Sequence, residues 1–154
     1  MLTCFIACGE KLLLIRRDLP PQVGFWAIPG GFMEAGETTA EGAARELWEE
    51  AGIRIAPESL SLYMAGTITF LNQVYIAYRA SVDSTDCTPG VEAQAAAFFA
   101  RDECPWEKLA YPQVNDAIRQ AYDDLERGEF GMYHAEMSKD YYRLLPVDES
   151  RAAK

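Results

Sequence analysis

Between Gly30 and Ile53 the chain reads GGFMEAGETTAEGAARELWEEAGI, and this stretch limits the fold more than any other. Thr38 followed by Glu41 fits a capping box, with Thr38 as the N-cap of a helix. Ala40, Ala43, Ala44, Leu47 and Ala51 then recur at helical spacing as one apolar stripe, and Gly52 supplies the stop. At about 100° per residue, Glu46, Glu49 and Glu50 share a neighbouring face, roughly a right angle from the stripe. Gly42 lies on that face one turn earlier. It costs about 1 kcal/mol relative to alanine, and it leaves the surface open for a bulky ligand.

Like charges at such spacings destabilise a helix by about 0.2–0.5 kcal/mol per pair. An acidic helix face is ordinarily just solvated, and here Arg45, one turn before Glu49, neutralises part of it. The Gly30-Gly31 turn directly upstream adds a backbone carbonyl to the carboxylates. Carboxylate and carbonyl oxygens are the donors that a hard cation such as magnesium prefers.

The segment resembles the Nudix box of the Nudix hydrolases at every defining position. That pattern, G-x5-E-x7-R-E-U-x-E-E-x-G-U with U a bulky aliphatic, is filled by Gly31, Glu37, Arg45, Glu46, Leu47, Glu49, Glu50, Gly52 and Ile53. The preceding Gly24-Phe25-Trp26-Ala27-Ile28-Pro29-Gly30 is similar to the family's usual approach to the box. The resemblance implies an α/β chain with the Nudix fold, an α/β/α sandwich around a mixed β-sheet. It implies a single domain over residues 1–154, with the box at 31–53 and a C-terminal helix and tail from about 112 to 154.

The resemblance also implies a chemistry: divalent-metal-dependent hydrolysis of a pyrophosphate linked to a nucleoside. Charge on the phosphate oxygens must be neutralised, water activated and the leaving phosphate stabilised, and divalent ions serve all three needs. Carried over, Glu46, Glu49 and Glu50 with the Gly30 carbonyl are the metal donors for Mg2+, with Mn2+ able to substitute. Glu37 and Arg45 pair to hold the loop against the helix, between Gly31 and Gly52. Relatives often add a glutamate from a later loop. Glu92, after Pro89-Gly90 and before an aromatic strand, fits as base or ligand, with Glu103 as runner-up. The catalytic set is therefore Glu46, Glu49 and Glu92. Arg17 matches a position where some relatives contact phosphate, and Phe25, Tyr63, Phe70 and Tyr75 offer aromatic faces for a base.

The box and Pro-Gly-x-Glu look closest to enzymes that cleave ADP-ribose, FAD and related dinucleotides, although the zinc ribbon of several such relatives is missing. A nucleoside triphosphate pyrophosphohydrolase that sanitises damaged nucleotides is the alternative. A non-catalytic ligand sensor fits less well, because such domains usually carry a degraded box.

Chain-level properties agree with a small enzyme. At 154 residues, 49% hydrophobic and 25% charged, the chain has the size and composition of one globular domain. Its net charge of −10 argues against a nucleic-acid polymer and leaves a small-molecule nucleotide as partner, provided metal ions neutralise the site. No apolar run approaches a membrane span, and the first residues do not read as a signal peptide. The expectation is a cytoplasmic protein with no membrane partner, compatible with a homodimer. Cys4, Cys8, Cys87 and Cys104 contain no C-x-x-C pair, and His134 is the sole histidine, so the catalytic burden falls on carboxylates.

Beyond the box, Leu2 to Cys8 and Lys11 to Arg16 read as a hairpin, and Trp26 to Ile28 as a short strand. Ser61 to Leu71 and Gln73 to Ser81 read as strands around Asn72, and Ala95 to Ala100 as another. A second amphipathic helix is expected from Pro112 to a stop at Gly128.

Overall fold

The computed structural model describes residues 1–147; the end of the expected tail, residues 148–154, lies outside the described residues. β1 (Leu2–Cys8) and β2 (Lys11–Arg17) form the expected hairpin, paired at Ala7–Leu12 and Cys8–Lys11. The hairpin then splays open. β3 (Trp26–Ala27) joins β2 and β4 (Gly30–Gly31) joins β1, so the stretch leading into the box is threaded between the two strands. The helix that follows, α1 (Thr39–Ala51), has both halves of the capping box in place, and Gly52 ends it in the left-handed region.

β5 (Ser61–Ile68) and β6 (Gln73–Ser81) pair antiparallel, β7 (Ala93–Phe99) lies along β2, and β6 runs parallel to β1. The first of the two expected strands is shorter than its sequence indicates, because Thr69–Leu71 tighten into a 3-10 turn ending at Asn72, which has positive φ. A 3-10 turn at Pro112–Val114 precedes α2 (Asn115–Arg127), which stops at Gly128 in the left-handed region. The expected tail after this helix needs correction. It folds into β8 (Tyr133–Met137), parallel to β5, and β9 (Tyr142–Pro146), antiparallel to β8. The main path of the mixed sheet is β3-β2-β1-β6-β5-β8-β9.

Each helix covers one face of this sheet. Ala43, Leu47 and Ala51 of the predicted stripe are fully buried against Leu2, Cys4, Ile6, Leu13 and Ile15. On the other face α2 buries Ala117, Ile118, Ala121 and Tyr122 against Phe5, Leu12, Leu14, Tyr63 and Tyr133. Fully burying a leucine-sized side chain is worth about 1.5–3 kcal/mol, so these two clusters hold the α/β/α layers together. Asp124 locks α2 to the sheet. Fully buried, it accepts from Tyr63 Oη at 2.8 Å, Gln120 Nε2 at 2.9 Å and Tyr133 Oη at 3.0 Å, and it pairs with Arg127. Tyr63 and Tyr75 are core residues at 0% and 5% exposure, which removes them as faces for a base. Their alternation on β5 and β6 points them under α2, whereas Phe70 sits in the 3-10 turn between these strands and is 38% exposed.

The candidate acidic site on the Nudix-box helix

Glu46, Glu49 and Glu50 sit in three different environments on α1. Glu50 is 8% exposed, and its Oε2 accepts a 2.7 Å hydrogen bond from the Gly30 N–H. Burial pushes its carboxyl up to about 7; the Gly30 bond and Arg17 act against this, while Glu46 and Glu92 add to it. Glu46 is half-buried and is also pushed upward, mainly by burial. Glu49 is exposed, with 53% side-chain exposure. Gly31 packs so closely on the Glu46 carboxylate that a methyl group there would strike it.

Arg45 organises the outer side of the same face. Its Nε and Nη2 donate to the two oxygens of Glu37 at 3.0 and 2.9 Å, a bidentate pair. Nη2 also donates to the Phe32 carbonyl, and Nη1 donates to Glu46 at 2.8 Å and Glu49 at 3.1 Å. Glu37 in turn accepts from the Glu34 N–H at 2.6 Å, and these bonds, Arg45's foremost, hold its carboxyl down to about 2. Loop 30–37 is thus tied to the helix at both ends. Gly42 corrects a sequence expectation. Its surface is not open to a ligand, because the Glu37 carboxylate and Leu2 already occupy the space a side chain would need.

Glu92 reaches the site on a loop that docks on the end of α1. The Thr88 N–H donates to Ala51 O at 2.8 Å and the Gly90 N–H to Glu50 O at 3.3 Å, satisfying carbonyls that a helix end leaves bare. Gly90 lies directly on the Glu49 carbonyl, where no side chain fits. Asp18 N–H binds Glu92 O at 3.0 Å, fixing the loop to the end of β2. Between this loop and the helix runs an open groove of about 690 Å³, lined by Glu46, Glu49, Glu50 and Glu92 among others. Glu103 is not part of it. It pairs with Lys11 at the opposite end of β2, roughly 20 Å away at about 3.3 Å per residue.

Arg17 does not line this groove but is near enough to favour the charged form of Glu50. Its Nε donates to Pro21 O at 3.0 Å, and its guanidinium lies 5.6 Å from the ring centre of Tyr111. Phe25 is 38% exposed and accepts from the Arg17 N–H through its carbonyl. Tyr111 escapes a sequence reading because nothing local connects it to Arg17. The Leu109 and Ala110 backbone pairs with Trp26 and carries it there.

Among the described residues, no three acidic, histidine or cysteine side chains converge as a ready-made cation cage. The bonded oxygens of Glu46 and Glu49 are turned to Arg45, and that of Glu50 to Gly30. The donor set nonetheless suits a hard divalent ion. It is all oxygen, and two of its carboxylates are held in surroundings that disfavour their charge, which a cation would relieve. Gly30 meets Glu50 through its N–H.

The NUDIX domain model matches residues 2–125. The chain belongs to the Nudix family. An ADP-ribose pyrophosphatase of Methanocaldococcus jannaschii is 36% identical over 104 residues, covering 66% of this chain and 60% of that protein. A human 8-oxo-dGDP phosphatase is 30% identical over 106 residues, covering 68% of this chain but 33% of that protein. The chain therefore spans between a third and three fifths of the length of these two curated Nudix relatives. The crystal structure of a Nudix hydrolase from Nitrosomonas europaea superposes with a TM-score of 0.82 at 31% identity, covering 90% of this chain and 77% of that one. Among the described residues, no helix is long and apolar enough to cross a membrane.

Proposed function

We propose that this chain hydrolyses the pyrophosphate bond of nucleoside-diphosphate-linked substrates, of the ADP-ribose, FAD or related dinucleotide type, with a divalent cation, Mg2+ or Mn2+. The observation that carries the reading is the groove in which Glu92 faces Glu46, Glu49 and Glu50. The ADP-ribose pyrophosphatase relative supports the substrate class. Glu46, Glu49 and Glu50 hold the cation, which when bound supplies charge neutralisation for the phosphate oxygens and a more acidic water. Glu92 accepts the proton of the water that attacks phosphorus. The bond to the bridging oxygen then breaks, leaving a nucleoside monophosphate and the phosphorylated second half. Arg17 neutralises a phosphate oxygen, with Phe25 and Tyr111 beside it as aromatic surface. Glu37 and Arg45 hold the loop between Gly31 and the helix, and Gly52 ends the helix where the Glu92 loop docks.

A second reading, hydrolysis of damaged nucleoside polyphosphates, draws on the human 8-oxo-dGDP phosphatase relative. Chromatographic analysis of the products, nucleoside monophosphate and its phosphorylated partner, decides between them. ADP-ribose, FAD, NADH, diadenosine polyphosphates and nucleoside triphosphates are compared with magnesium and with chelator. Turnover of the diphosphate-linked compounds, lost in chelator and strongly reduced in Glu92→Gln, is expected. Full turnover in chelator refutes the metal chemistry, and unimpaired Glu92→Gln removes Glu92 as the base.

A further inference from the structure

The face of the sheet opposite α2 is only partly covered. α1 packs over β1, β2 and the near side of β6; no residue of β8 or β9 joins the core cluster beneath it, and His134, Arg143 and Leu145 are exposed. The register sets which side chains share this bare face. His134 stands opposite Leu145 and Glu136 opposite Arg143, while the Val147 N–H bonds to Met132 O. Tyr133, Ala135 and Met137 alternate to the other side and are buried under α2. Met132, Leu145 and Val147 are 39%, 42% and 46% exposed. Apolar rows on a strand pair normally rest against another layer.

Charge marks what fits there. The chain as a whole carries −10, which opposes self-association over most of its surface. On this face the strand pair carries one acid and one base, Glu136 and Arg143, 3.6 Å apart. That arrangement is self-complementary. A two-fold axis parallel to the strands, passing between β8 and β9, lays each β8 over the other copy's β9. It sets Glu136 against Arg143, His134 against Leu145 and Met132 against Val147, each pairing occurring twice. Face-to-face sheets stack about 10 Å apart with strands roughly aligned, which this axis allows. An isologous interface has this reciprocity, residue i meeting j and j meeting i.

We infer that the β8–β9 face is the interface of a two-fold dimer with a second copy of this chain, registered by reciprocal Glu136–Arg143 pairs. The test is molar mass by light scattering across a concentration series. Wild type is expected to run as a dimer at about 100 µM. Glu136→Arg alone sets arginines against arginines, Arg143→Glu alone sets acids against acids, and each shifts the midpoint to at least tenfold higher concentration. Mixing the two variants one to one restores the dimer, because each copy then supplies the charge its partner lacks. Leu145→Asp gives monomer, with an unchanged far-ultraviolet circular dichroism spectrum reporting the fold. A monomeric wild type overturns the inference, as does a dimer indifferent to Leu145→Asp and to both reversals. Failure of the mixture to recover overturns the proposed pairing.

Discussion

Glu50 is where the proposed function of this fold works against its stability, and Glu50→Gln measures by how much. A buried carboxyl pushed from 4.5 to about 7 keeps its proton in the folded chain at pH values where the unfolded chain has released it. Between those limits the folded state binds more protons, so stability falls as pH rises from about 4.5 to about 7 and stays low above that. The difference corresponds to about 3 kcal/mol. Glutamine resembles the protonated form in size and can still accept from the Gly30 N–H. In chelator at pH 8 the variant should therefore be more stable than wild type by up to that amount, and near pH 4.5 the two should match. For a chain of this length, about 2–4 °C per kcal/mol gives a Tm difference of roughly 6–12 °C.

Calorimetric melts at the two pH values in chelator read this directly. Adding magnesium should then raise the wild-type Tm more than the variant's, because a ligand stabilises only the state that binds it. Turnover in the variant should fall by orders of magnitude even as the apo protein gains stability. Equal melting temperatures at pH 8, or a difference of the same size at both pH values, would refute the reasoning. Either result would mean that Glu50 is not held in surroundings that resist its charge.

Gly90→Ala forces the 88–92 loop off the Glu49 carbonyl and moves Glu92; kcat should drop roughly 10²-fold, the usual cost of about 1 Å of misplacement, and wild-type turnover would show that Glu92 does not depend on this contact. Arg45 holds Glu37 down to about 2, so wild type loses that contribution as pH falls from 4.5 towards 2. Glu37→Gln should show a flatter acid limb in thermal melts, and parallel limbs would contradict the assignment. Asp124→Ala strands the Tyr63 and Tyr133 hydroxyls, and should lower stability by about 2–5 kcal/mol in urea unfolding, at about 1–3 kcal/mol for each buried group left unpaired; a loss below about 1 kcal/mol would mean that water replaces the carboxylate.

The parts legible in the sequence are those decided within one or two helical turns. The cap at Thr38, the stripe ending at Ala51 and the stop at Gly52 each rest on neighbours within four residues, and all three stand in the structure. The β8–β9 hairpin had a usable signal that the sequence reading passed over. Tyr133, Ala135 and Met137 alternate with His134 and Glu136, a period of two that marks a half-buried strand. No local pattern could reveal the loop's docking on α1, Tyr111 beneath Arg17 or the bond from Tyr63 to Asp124, since those partners lie far apart along the chain. Gly42 shows how a local rule misleads. Counting positions around the helix places it correctly on the acidic face, but only the fold reveals that Glu37 fills the opening. The same interaction explains why the acidic face is tolerable without a cation. Arg45 binds two of its carboxylates, Glu46 and Glu49, along with Glu37 of the loop, and leaves Glu50 to the Gly30 amide. The site's unrelieved charge is therefore concentrated on Glu50, the carboxylate that a bound ion would stabilise most.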